Sequence, residues 1–446
     1  MELRQGSVES VELTPEFWRN KRVLLTGHTG FKGSWLSLWL QSLGAQLAGY
    51  SLPPPTEPSL FLLAGVEEGM QSVCGDILDL QHLRRVVCEF QPQIVFHMAA
   101  QSLVRRSYDD PVGTFSTNVL GTAHVLEAVR SEPRVQAVVI VTSDKCYENR
   151  EYQANGDEKR GYPDQRCENH DDENHHQENQ PYENHDHQDL EHQRAFREGD
   201  RLGGFDPYSS SKAAAELVTA AFRQSFFSSA QRSVSTGFAT GIASARAGNV
   251  LGGGDFAAGR LIPDVMRAAI RGEQLLIRNP HAIRPWQHVL DPLSGYLMLA
   301  EKLCADPHQF SEAWNFGPDP AGALSVSAVL DRLRTLWGPD IAWRVDAKDH
   351  PHEAGHLSLD SAKAKSRLGW TPQWNLKVAL EATVRWYKAY QAHHDQAHHD
   401  LRGLALEQIQ SFQIQSFQIQ SSQIQSLQTQ ALQSPVMLTP PAISPR

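Results

Sequence analysis

Two short stretches carry side chains able to move protons. In "YSSSK", Tyr208 and Lys212 stand four residues apart, which places them on one face of a single helix. A phenol with a pKa of about 10 needs help to act as a base near neutrality, and a lysine one turn away can stabilise the phenolate. In "TSDKCY", Ser143, Asp144 and Lys145 follow the apolar run "VQAVVIV". An acid and an ammonium side by side where a buried strand stops are either solvated loop residues or an acid–base pair held over a substrate. A third stretch, "LLTGHTGFKGSWL", spaces Gly27, Gly30 and Gly33 between an apolar run and an amphipathic one. Glycines there permit a tight turn and let backbone N–H groups approach a pyrophosphate at a helix N-terminus. A glycine loop together with Tyr-x-x-x-Lys indicates hydride transfer between a nicotinamide and a carbinol or carbonyl.

The elements that must position these groups alternate regularly. "RVLLT" (22–26), "QLAGY" (46–50), "QSVCGD" (71–76), "QIVFHMA" (93–99) and "VQAVVIVT" (135–142) read as strands. Between them "SWLSLWLQSLG" (34–44), "LQHLRRVVCEF" (80–90) and 112–130 read as helices, followed by "DPYSSSKAAAELVTAAFRQSFF" (206–227). This rhythm predicts an α/β fold, a doubly wound parallel Rossmann sheet with its site at the strands' carboxyl ends. The boundaries read as an N-terminal extension (1–14), a dinucleotide-binding domain (15–250), a smaller C-terminal substrate-binding lobe (251–390) and a tail (391–446).

Two segments break the rhythm. Residues about 153–197 include "CENHDDENHHQENQPYENHDHQDLEHQ", which has too little apolar surface to offset the entropy of ordering, so a disordered insertion is expected. Its six histidines lack the spacing of a zinc site, and no metal is expected. The tail carries the five-residue repeat "SFQIQ SFQIQ SSQIQ SLQTQ" and is expected to be disordered.

A formal charge of −10 and a pI near 6.0 argue against nucleic-acid binding, so an anionic substrate needs locally placed arginines. Five cysteines without a C-x-x-C pair suit a reducing compartment. The first residues lack the pattern of a signal peptide, and no apolar run approaches the roughly 20 residues that span a bilayer. A cytoplasmic protein without a membrane partner is expected. NAD and NADP both remain open at this level. The second strand ends at Tyr50–Ser51 without a carboxylate for the ribose, and Lys32 in the glycine loop could favour a 2′-phosphate.

The glycine loop, "HMAAQ" (97–101), Asn118, "TSDK" and Tyr208-x-x-x-Lys212 resemble the extended short-chain dehydrogenase/reductases. "PPTEPSLF", "TSDKCYENRE", "RAGNVLGGGDF" and "RPWQHVLDPLSGYL" look like the sugar-nucleotide 4,6-dehydratases among them, and most like the branch acting on CDP-glucose. The resemblance runs from about residue 15 to 390. It implies a three-step reaction: oxidation of the sugar C4 hydroxyl by NAD, loss of water across C5 and C6, and return of the hydride to C6, in deoxysugar synthesis for surface polysaccharide. It implies Tyr208 and Lys212 in hydride transfer, Ser143 at the C4 oxygen, Asp144 as the acid at C6, and Lys145 at the position of the C5 base. Related dTDP-glucose enzymes have glutamate at that position, so the assignment of the base stays open between Lys145 and another group. The implied cofactor contacts are Gly27, Thr29, Gly30, Phe31, Lys32, Gly33, Asp76, Ile77, Ala99, Ala100, Gln101, Asn118, Tyr208 and Lys212. The implied sugar-nucleotide contacts are Gln101, Arg105, Arg246, Asn249, Arg260, Arg284 and His288; a structural ion pair is the alternative for Arg246. A homodimer or dimer of dimers through 112–130 and 208–227 is implied as well. The competing functions are a 4-epimerase, which has no elimination to perform, and a non-catalytic NAD-binding scaffold.

Overall fold

The computed structural model describes residues 13–148, 194–227, 239–346, 348, 357–395 and 400–433. The insertion and residues 434–446 therefore lie almost wholly outside the described residues.

Seven parallel strands form one sheet: β1 (Arg22–Thr26), β2 (Gln46–Ser51), β3 (Gln71–Cys74), β4 (Ile94–His97), β5 (Ala137–Val141), β6 (Gly241–Ala247) and β7 (Ala313–Phe316). Their spatial order, β7-β6-β5-β4-β1-β2-β3, reverses direction at β1 and β4, the switch point where doubly wound sheets bind ligands. Alternate side chains leave opposite faces of the sheet. Val23, Leu25, Phe96, Val139 and Ala243 pack on one face, with α1 (Phe31–Ser42) and, later in the chain, residues 290–305. Leu24, Val95, Val138 and Ile242 pack on the other, beneath α2 (Leu80–Phe90) and α3 (Gly121–Arg130). Two apolar faces explain why the strands read as unbroken hydrophobic runs. α4 (Pro207–Phe226) completes this second layer, and its start is fixed by Asp206, whose carboxylate accepts from Ser209 N at 2.9 Å and Ser209 Oγ at 2.6 Å.

Three expectations need correction. The helix expected over 112–130 is interrupted: Pro111–Phe115 is followed by a π turn, Ser116–Leu120, before α3 begins. The boundary at residue 250 is not a clean one. After α5 (Leu261–Arg271), the chain returns with α6 (Leu290–Ala305) against the main sheet and adds β7 to its edge. The smaller lobe proper is made of short strand pairs, 283–285 with 323–325 and 274–277 with 342–345, and the helix Val326–Trp337.

The third correction is the tail. After α7 (Leu376–Asp395), residues Leu401–Gln433 form a helix, α8. Its beginning docks: Leu401, Ala405, Ile409 and Phe412 are buried. Phe412 lies 5.6 Å from Trp39 and 5.5 Å from Trp374, both edge-on. Arg402 donates to Ala64 O, Gly65 O and Gln41 Oε1 at 3.1, 2.8 and 2.7 Å, so α8 braces the back of α1. Truncating a buried aromatic of this kind costs about 3–5 kcal/mol. The five-residue repeat hid this because its period does not match 3.6 residues per turn, so no apolar stripe shows in the sequence.

Candidate active site

The site forms where β1, β4, β5 and β6 end. At β1 the chain turns through Gly27, whose φ of +76° suits glycine. A Cβ there would stand 2.6 Å from Ala99 N, and one on Gly33 would stand 2.2 Å from Gly27 O. Those two glycines let the turn close on the β4 end and let α1 start tightly against it. The helix N-terminus at Gly30 has no side-chain cap, so its first N–H groups are left for an anion. This cradle fits a dinucleotide pyrophosphate. At its far end Thr29 Oγ1 bonds Ser51 Oγ at 2.8 Å and Leu52 O at 2.9 Å. Asp76 follows β3, with its Oδ1 accepting from Leu78 N at 2.9 Å, and Ile77 is buried beside Gly121.

Lys32 lies elsewhere than its place in the glycine loop suggested. Burial, then the charges of Arg260 and Lys212, hold its amine down to about 7, while Asp144 opposes them. Its charged neighbours include Arg260, Lys212 and Asp144, which belong to the proton-handling groups.

The "TSDKCY" stretch forms a short 3₁₀ turn, Asp144–Cys146, at the end of β5. Ser143 caps it: its Oγ accepts from Lys145 N at 3.2 Å and donates to Asp144 Oδ1 at 2.9 Å. Asp144 is buried, and its Oδ2 has no partner among the described residues. Burial raises its pKa against the pull of Lys145, the Ser143 hydrogen bond, Arg284 and Lys32. A carboxyl pushed up in this way tends to hold its proton, as a general acid requires.

Helix α4 brings Tyr208 and Lys212 to the same turn. Burial lifts the Tyr208 phenol to about 12, while hydrogen bonding to Ser143 and the Arg260 charge act to lower it. Lys212 Nζ donates to Val141 O at 3.3 Å, and burial lowers its amine to about 8 against the Glu216 carboxylate. Among the charges that act on the phenol, Arg260 lowers its pKa while Asp144 and Asp206 raise it. Arg260 also joins the lobes, bonding Asp255 Oδ2 at 3.0 Å and Ser102 Oγ at 2.6 Å. Arg284 stands close enough to act on Asp144, and Asn249 is half-buried on the loop after β6. Arg105 is exposed on the helix Val104–Asp109 beyond β4.

Four expected contacts have other duties. Gln101 uses its side chain on the local chain, donating to Leu103 O and Thr114 Oγ1 and accepting from Leu103 N at 2.6 Å. Asn118 ties that loop to α4, through Gln101 N, Gln101 O and Ser211 Oγ at 2.8–3.0 Å, and so acts on a ligand only through others. His288 is a core residue: fully buried, ring centroids 4.6 Å from Trp374 and 6.0 Å from Trp35, its Nδ1 accepting from Leu290 N. Arg246 is 3% exposed and paired at 2.8 Å with the equally buried Glu216. The ion-pair alternative is the one realised.

The sequence reading missed Glu216, although Tyr208, Lys212 and Glu216 repeat every four residues along α4. It also missed Thr142, Ser244 and Tyr147, which bond to the Glu216–Arg246 pair. Only the first had a signal in the sequence. The others come from the two ends of the 142–147 segment and from β6.

Comparison with known proteins agrees with this arrangement. A profile of the GDP-mannose 4,6 dehydratase family matches residues 24–182 and 189–383. A CDP-glucose 4,6-dehydratase of Salmonella typhimurium is 48% identical over 374 residues, covering 84% of this chain and 92% of the relative. A dTDP-glucose 4,6-dehydratase of Escherichia coli is 25% identical over 385 residues, 82% of this chain and 92% of that protein. Among solved structures, DesIV, a dTDP-glucose 4,6-dehydratase of Streptomyces venezuelae with NAD and TYD bound, superposes with a TM-score of 0.62 at 22% identity. It covers 83% of this chain and 98% of its own. UDP-glucose 4-epimerase of Thermotoga maritima superposes equally, TM-score 0.62 at 19% identity, over 83% and 99%. These structural likenesses concern the fold. No helix among the described residues is long and apolar enough to cross a membrane.

Proposed function

The chain belongs to the GDP-mannose 4,6-dehydratase family, and from that premise we propose that it converts CDP-glucose to CDP-4-keto-6-deoxyglucose. It is a hydro-lyase acting on a sugar nucleotide. The observation that carries the elimination is the Asp144–Lys145 pair on one turn with Ser143, beside Tyr208. A 4-epimerase needs only the O4 proton handled; a dehydratase needs a second pair of proton-handling groups. The nucleobase follows from the 48% identical relative alone.

NAD is the cofactor, and the Gly27–Gly33 turn and the α1 N-terminus, with Thr29 and Asp76, would hold it. When bound, its nicotinamide supplies an acceptor and donor of hydride. Tyr208 takes the proton from O4, with Ser143 bonded to the same oxygen and Arg260 favouring the phenolate. Lys145 removes the C5 proton, which a C4 ketone acidifies. Asp144 gives its proton to the departing C6 hydroxyl, a role its raised pKa supports. Asn249, Arg260, Arg284 and Arg105 supply polar and cationic groups for the sugar and diphosphate, as an acidic protein with an anionic substrate requires.

The expected result with CDP-glucose and NAD is a product lighter by one water, with dTDP- and GDP-hexoses turned over far more slowly. An isomer of unchanged mass would contradict the reading. A homodimer is proposed as well, through the 111–130 stretch and α4, where Val112, Leu120 and Leu217 are 76%, 49% and 61% exposed. Sedimentation at micromolar concentration checks it, a monomer counting against it.

A further inference from the structure

The buried pair Glu216–Arg246 touches neither the Asp144 carboxyl nor the Tyr208 hydroxyl, yet it grips both ends of the segment that carries Asp144 and Lys145. At the front end, Glu216 Oε1 accepts from Thr142 Oγ1 at 2.5 Å, and its Oε2 accepts from Ser244 Oγ at 2.6 Å and Arg246 Nη2 at 2.8 Å. At the back end, Arg246 Nη1 donates to the Tyr147 hydroxyl at 2.8 Å, and that hydroxyl donates to Asn315 Oδ1 at 2.7 Å. The Tyr147 ring lies flat against Phe196, centroids 4.8 Å apart and planes within 5°. Asn315 in turn donates to Phe196 O at 2.9 Å. All these groups are buried, where a hydrogen bond holds geometry more firmly than at the surface.

The front end is held a second time. Helix α4 grips the end of β5 at two successive turns: Lys212 with Val141 O at 3.3 Å, and Glu216 with Thr142 at 2.5 Å. Burial works against the Glu216 carboxylate, but the Arg246 charge and these hydrogen bonds outweigh it and hold its pKa below the usual value. At the back end the backbone pairs with the 201–203 stretch, Gly203 N donating to Cys146 O at 2.9 Å and Glu148 N to Arg201 O at 3.0 Å, but among the described residues the side-chain tie from this end to the sheet is the Tyr147 hydroxyl. Resting on the functional reading above, we propose that the Tyr147 hydroxyl is a positioning residue for water elimination: through Arg246 and Asn315 it sets the aim of Asp144 and Lys145, while Tyr208 and Ser143 keep their places without it.

The asymmetry gives the test. In Tyr147→Phe the ring and its stacking on Phe196 survive and only the hydroxyl is lost. Turnover of CDP-glucose is expected to fall about tenfold, the order set by one buried hydrogen bond to a charged group. The step that slows is elimination. The kinetic isotope effect on kcat from C5-deuterated substrate therefore rises relative to the wild-type value, and the effect from C4-deuterated substrate falls. A merely structural loss lowers kcat by lowering the fraction of competent protein and leaves both isotope effects where they were. Phe196→Leu, which loosens the ring packing and keeps the hydroxyl, is expected to leave both effects unchanged. Unchanged isotope effects in Tyr147→Phe overturn the proposal whatever happens to kcat, and so does a shift of the same size in Phe196→Leu. Wild-type protein that forms no dehydrated sugar contradicts the functional reading instead.

Discussion

Tyr208→Phe is expected to lower turnover of CDP-glucose by about 10²–10⁴-fold, the usual contribution of a positioned acid–base group. The ring fills the same buried space, so α4 keeps its packing and its Asp206 cap. What disappears is the hydroxyl whose pKa Ser143 and the Arg260 charge act to lower. Without it nothing takes the O4 proton, so the reaction halts before any ketone forms. Quenching the mixture and reducing it with borotritide checks this: wild-type samples carry label at C4, and the variant carries almost none. Label at the wild-type level would move the O4 proton to another group, with Ser143 the first to consider.

Asp144→Asn has an effect of similar size at a different step. The amide keeps the shape of the carboxyl and can still accept the 2.9 Å hydrogen bond from Ser143. It cannot deliver a proton to the C6 oxygen. Formation of the 6-deoxy product is expected to fall about 10²–10³-fold, while C4 oxidation continues. Trapping with borotritide should then find a 4-keto sugar that still carries its C6 hydroxyl. Asp144 and Tyr208 stand on neighbouring elements, but their losses stop the sequence on opposite sides of one intermediate. A variant that fails to oxidise C4 would show instead that Asp144 is needed to order the turn.

The sheet was legible because β1, β2, β4 and β5 are buried on both faces and flanked by a turn or a helix, while the half-exposed edge strand β3 shows only through its place in the alternation. "LQHLRRVVCEF" is α2 to the residue. Tyr208, Lys212 and Asp144 stand out as candidates because chemistry and local spacing coincide in them, and all three are buried near the end of β5. The residues assigned wrongly fail for one reason. Gln101, Arg246 and His288 are polar side chains near the site, and only the three-dimensional structure shows that their hydrogen bonds are spent on the protein itself. Arg246 is instructive. Its partner Glu216 is 30 residues away in the chain, and its second contact, Tyr147, is 99 away on the far side of the insertion. The docked part of the tail was hidden by a repeat whose period obscures helical spacing, although Phe412 and Ile409 are as buried as any sheet residue.

The pH behaviour follows from the same burial. Asp144 acts as an acid only while protonated, and its pKa is raised. The elimination limb of the rate profile should therefore fall as pH rises through that value, and it should vanish in Asp144→Asn.

In the proposed reaction hydride leaves C4 and returns to C6 of the same sugar, with water lost between. CDP-glucose deuterated at C4 tests it most directly, with the product read by mass and by carbon–deuterium NMR. The predicted product is lighter by one water and carries the deuterium in its C6 methyl group, with no net oxidation. Deuterium recovered at C4 of an isomer of unchanged mass would contradict the account and make Asp144 and Lys145 bystanders to an epimerisation.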